Sequence, residues 1–150
     1  MSSAAIMGQI RQKQQLLLQL QDELKEKEKS YESAVEIKDK AEKSAGTFSD
    51  ILTSRKTRMQ KLDDIEARVK AARGYRQVAN DALTGEKNLL AMQTLESLIA
   101  SLNAEKASLL EAIQVLDTSI TGVNNDIDAL YGAYYSAVEA ERLAAAERTK

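Results

Sequence analysis

From Met92 onward the chain carries a side chain for one and the same stripe at every third or fourth position. The series is Met92, Leu95, Ile99, Leu102, Lys106, Leu109, Ile113, Leu116, Ile120, Val123, Ile127, Leu130, Tyr134 and Ala137, and Lys106 alone in it is plainly polar. Alternating spacings of three and four place all these residues on one face of one helix, and a repeat sustained this long is the signature of a coiled-coil seam. Such a helix requires a second one to cover its seam. The chain is therefore expected to work by binding and assembly rather than by pocket chemistry.

The first half carries a matching series. Ile6, Ile10, Lys13, Leu17, Leu20, Leu24, Lys27, Tyr31, Ala34, Lys38 and Ala41 follow the same alternation, weakened by three lysines. Ala45, Phe48, Leu52, Arg55, Met59 and Leu62 keep its phase. The charged run from Glu23 to Lys43 reads as a solvated helix face. Its four-apart pairs Glu23–Lys27, Glu36–Lys40 and Asp39–Lys43 each add roughly 0.2–0.5 kcal/mol to an exposed helix. Composition agrees: there is no proline to break a helix, and aromatics make up 4% of the chain, as suits a thin helical core.

Two places interrupt the pattern. Gly46-Thr47, with Asp50 three residues after Thr47, has the outline of a helix start. The phase is kept across it, so a bent or briefly broken helix is favoured over a turn. The stronger break runs from Gly74 to Gly85, near the middle of the chain, with Asn80-Asp81 inside it. A fold there predicts one all-α domain spanning residues 1–150, a long antiparallel two-helix coiled-coil hairpin. Its first arm covers about 4–72, its turn 73–85 and its second arm about 86–147, with arms roughly 90–100 Å long at the α-helical rise. Gly122 and Gly132 keep the phase of the second series and so mark close packing or local flexibility rather than an end. After Ala137 little is left to bury, and the end is expected to fray.

Apolar residues also stand beside the two series. Leu16, Ile37, Ile51 and Ile65 each precede a seam position by one residue, and Leu98, Leu110, Tyr131 and Val138 flank the second series. A strict two-stranded seam does not need them, and a wider apolar face suits three or more helices. Two readings remain open: a broad intramolecular seam or homo-oligomer, and a groove that receives a partner's helices. Leu16, Ile37, Ile51, Ile65, Leu98, Leu110 and Tyr131 are the partner-binding candidates.

Catalytic and ligand chemistry has little to stand on. Histidine and cysteine are both absent, which removes the commonest general base and the usual zinc ligands. No loop has calcium-binding spacing, and Gly85-Glu86-Lys87 lacks the glycine spacing of a phosphate-binding loop. The expectation is no enzyme, with no catalytic residue, no cofactor and no metal. A net charge of −2 with well-mixed signs gives no basic stripe for nucleic acid. No apolar segment is long enough to span a bilayer. Met1–Gln15 lacks the features of a secretory signal, so if the protein leaves the cell it is expected to use a route that reads no cleavable leader.

The triplet Leu83-Thr84-Gly85, standing between two long helical arms and followed at once by the second series, resembles the turn of W-x-G-type (ESAT-like) helical hairpins of type VII secretion. Leu83 stands where that family has Trp. The layout over nearly the whole chain is similar to the longer relatives that act as accessory or targeting partners of LXG-type polymorphic toxins. Tyr135-Ser136-Ala137-Val138-Glu139 also fits the Tyr-x-x-x-Asp/Glu export motif of many type VII substrates, and four-residue spacing would put Tyr135 and Glu139 on one helical face. The resemblance implies a bacterial cytoplasmic protein, itself secreted or not. Its implied partners are the N-terminal helices of a toxin, another small helical protein and the secretion machinery. The alternatives are a stalk-like coiled coil of the flagellar or type III export apparatus and a purely structural coiled coil.

Overall fold

The computed structural model describes residues 1–66, 78, 81–82 and 85–149, and of residues 62–66 the backbone alone. Those residues form an all-α two-helix hairpin of α1 (Ser3–Glu66) and α2 (Glu86–Arg148), with no strand among them. The sequence series dictate which faces meet. Every described member of both series is buried or half-buried except Lys27 and Arg55, whose long polar side chains stay in water.

The hairpin comprises two compact units, Met1–Tyr31 with Ser108–Lys150, and Glu32–Ala107. In the first unit the helices run antiparallel. Ser3 pairs with Glu141, whereas Lys13 and Gln14, further along α1, reach back to Asp126 and Tyr131, earlier in α2. Its buried side chains are branched aliphatics: Ile6, Ile10, Val123 and Ile127, with Ile10 shut off from solvent completely. Among the described residues of the second unit the buried side chains are Ala34, Ala41, Met59 and Leu102, and Phe48, Leu52, Leu95 and Ile99 are half-buried.

The polar members of the seam stay tolerable because they reach outwards. Lys13 extends its ammonium to Asp126 at 2.7 Å, and Lys38 extends its own to Glu42 at 3.3 Å. Their methylene stems lie along the apolar face while the charge remains near water. Of the four-apart pairs read from the sequence, Glu36–Lys40 closes at 2.8 Å.

Two local expectations are corrected in part. First, α1 passes through Gly46 and Thr47 without a break, so no turn or cap forms there. One glycine costs a helix interior about 1 kcal/mol, which the uninterrupted apolar phase on either side outweighs. Second, Gly122 and Gly132 are exposed, and a methyl group added at either would meet nothing within 4 Å. They are not close-packing positions. Beyond Ala137, α2 runs on to Arg148. The final stretch is built from good helix formers, and Glu141 within it is fastened to Ser3.

The start of α2 shows why a glycine stands at position 85. The Gly85 carbonyl accepts the N–H groups of Asn88 and Leu89 at 3.1 and 3.3 Å, opening the helix. A Cβ on Gly85 would lie 3.0 Å from the Asp81 carbonyl oxygen, a backbone atom that cannot swing aside. The Asn88 side-chain amide donates to the Ala82 carbonyl at 2.7 Å, satisfying an acceptor on the other side of the glycine. Leu83, Thr84 and Gly74 of the expected turn lie outside the described residues, as does the side chain of Ile65.

Candidate functional site

Heptad letters make the geometry of the flanks explicit. With the two series at positions a and d, Gln9, Leu16, Ile37, Ile51 and Ile65 of α1 fall at g, as do Leu98 and Asp126 of α2. Met7 and Gln14 of α1 fall at e, with Leu110, Tyr131 and Val138 of α2. Antiparallel helices set e against e and g against g. The first unit shows both sides. On the e side the Gln14 side-chain amide donates to the Tyr131 hydroxyl at 3.2 Å. On the g side Gln9, Leu16 and Asp126 border an open groove of about 650 Å³, together with Gln12, Lys13, Ala129 and Leu130.

The partner-binding candidates therefore do not form one continuous stripe. In the second unit Ile37, Ile51 and Leu98 are all exposed and all occupy position g, so the pairing rule puts them on one side of the seam. In the first unit Leu16 lies on the g side, whereas Leu110, Tyr131 and Val138 lie on the e side. Leu110 and Val138 are exposed, and Tyr131 is half-buried with its hydroxyl engaged by Gln14. The sequence shows which residues stand beside the seam. Sorting them by side requires the direction of the second helix.

Tyr135 and Glu139 occupy the outer positions b and f of α2, away from the seam. Tyr135 is 67% exposed. Its ring stacks on Tyr131 at 6.4 Å between centroids and meets Tyr134 edge-on at 5.6 Å. Such contacts fix the ring's direction without covering its outer face. Glu139 accepts from Arg142 at 2.9 Å, so the face carries an aromatic ring and an ion pair.

Two residues with a well-defined geometry were missed in the sequence reading. Ser3 donates its backbone N–H to one Glu141 oxygen at 2.9 Å and its hydroxyl to the other at 2.8 Å. The Ser3 N–H, then its hydroxyl, hold the Glu141 carboxyl below the ordinary range for glutamate. Extending the second series by four residues from Ala137 lands on Glu141, and stepping back three from Ile6 lands on Ser3. The signal was present, but an apolar ladder is naturally read only as far as its apolar rungs.

Among the described residues, no group of three or more side chains able to hold a metal ion comes together, and no helix is long and apolar enough to cross a membrane. Comparison with protein-family models, with curated proteins and with solved structures returns no match.

Proposed function

We propose that this chain is a non-enzymatic helical binding protein, an accessory or targeting factor that co-assembles with the N-terminal helices of a partner toxin for type VII secretion. One observation carries the binding part: Ile37, Ile51 and Leu98 remain in water beside a seam that does not cover them. Three large aliphatic side chains on one side of a helix pair suit a further amphipathic helix, whose apolar face would use the same three-and-four spacing. The secretion part is supported by the position of Gly85 at the start of α2 and by the exposure of Tyr135 one helical turn before Glu139.

Co-expression with the helical product of a neighbouring toxin gene tests the binding. A soluble complex is expected, weakened by Ile37→Lys and Leu98→Lys with helicity kept. A chain that stays alone beside that partner would contradict the reading. Secretion is tested by Tyr135→Ala and Glu139→Ala, which should preserve the complex and abolish export of the toxin. Unchanged export in both variants would remove the secretion reading. If disruption of the hairpin instead abolished motility or type III export, the stalk-like alternative would take its place.

A further inference from the structure

The apolar seam of the first unit ends in a polar layer. Ser3 and Glu141 both occupy the seam position a, one step beyond Ile6 on α1 and one step beyond Ala137 on α2. An apolar pair there would merely continue the ladder. Instead both oxygens of Glu141 are engaged by Ser3, one by the backbone N–H and one by the hydroxyl. The first N–H groups of a helix have no partner within it, and a carboxylate there also faces the positive end of the helix dipole. Ser2, just before α1, meets a neighbouring N–H, its hydroxyl accepting from Ala5 at 3.3 Å. Glu141 completes the cap from the other helix.

We propose that Ser3 and Glu141 form a releasable latch that fastens the last turns of α2 to the first turn of α1 and governs whether this end of the hairpin opens. The next cross-helix polar links along the unit are Gln14–Tyr131 and Lys13–Asp126. Between them and the latch lie Ile6 and Ile10 of α1 with Tyr134 and Ala137 of α2. Releasing Glu141 lets that stretch breathe and loosens the helix that carries Tyr135 and Val138. A cap supplied by the same helix would hold α1 alone, whereas a cap supplied across the seam makes the order of the two ends mutual. The latch is independent of what the hairpin binds.

Amide hydrogen exchange on the full chain at neutral pH tests it, comparing wild type with Glu141→Ala, Ser3→Ala and the control Glu139→Gln. Alanine is the better helix former, so Glu141→Ala cannot loosen α2 through propensity. With the latch lost, amides of residues 4–10 and 134–145 should exchange about three- to tenfold faster, in line with removal of a helix cap, while residues 108–120 keep their rates. Ser3→Ala retains the backbone link and should fall between. Glu139→Gln should match wild type. The double variant Ser3→Ala/Glu141→Ala should exchange no faster than Glu141→Ala, since both changes remove one interaction. Wild-type rates in residues 4–10 of Glu141→Ala would overturn the latch. So would an equal acceleration through residues 108–120, which would indicate general destabilisation.

Discussion

The two units use one seam pattern with different materials. The first, Met1–Tyr31 with Ser108–Lys150, buries branched aliphatics and carries polar links from helix to helix, among them Ser3–Glu141, Lys13–Asp126 and Gln14–Tyr131. Among the described residues of the second, Glu32–Ala107, the buried side chains are two alanines with Met59 and Leu102, and the pairs Lys38–Glu42 and Glu36–Lys40 run along α1 itself. Each buried methylene contributes about 0.8 kcal/mol, so an alanine layer holds its helices more weakly than an isoleucine layer. Both units leave apolar side chains exposed beside the seam: Ile37, Ile51 and Leu98 of the second all stand at position g, whereas Leu16, Leu110 and Val138 of the first are divided between g and e. The difference teaches a division of labour. The first unit's core fastens the helices more firmly, and the second gathers its exposed g-position side chains on one side of the seam.

Changes in the first unit's core should do the greatest harm. Ile10→Asp places a carboxylate where solvent is fully excluded and should cost several kcal/mol. Ile113→Asp, at a half-buried seam position, should cost less, and the exposed Glu111→Ala should be nearly silent. Thermal melting ranks the three, and similar curves for Ile113→Asp and Glu111→Ala would show the register to be wrong. Next comes Ala41→Leu, which inserts a larger side chain into the small-residue layer of the second unit and should cost about 1–3 kcal/mol through overpacking. An unchanged melting curve would mean that the alanine layer is not close-packed.

Smaller effects sharpen the same contrast. Gly46→Ala and Gly132→Ala meet open space and should each stabilise by about 0.5–1 kcal/mol, since both glycines sit in helix interiors. Destabilisation by Gly132→Ala would reveal a contact on that face. Ile37→Lys should change stability by no more than about 0.5 kcal/mol, being an exposed substitution, while weakening the partner complex. The smallest effect is acidic. Glu141 has a folded-state pKa below its ordinary value, so its contribution is present above that ordinary value and is lost as pH falls through the lowered one. Subtracting the pH–stability curve of Glu141→Gln from that of wild type should isolate a loss below about pH 4.3. A difference curve flat through the acid range would remove Glu141 from the account.

The ladders were legible in sequence because one physical rule, burial at three-and-four spacing, fixes both the helices and their inner faces. Ile10, Leu102, Val123 and Ile127 are buried where that rule puts them. The fate of Gly46 was less legible, since a cap-like Thr47 and Asp50 compete locally with a phase that only the whole helix rewards. The side on which each flanking residue stands was not legible. Leu98 at g and Leu110 at e look alike beside the second series until the partner helix gives the seam two edges. Glu141 escaped for the opposite reason: its place follows from the spacing, but its chemistry departs from the ladder's.

Residue-resolved native-state hydrogen exchange on the unmodified chain tests the division of labour most directly. The account predicts that the most protected amides lie around Ile10, Val123 and Ile127, with weaker protection around Ala34, Ala41 and Leu102. Equal protection in the two units, or stronger protection around Ala41 and Leu102, would contradict it.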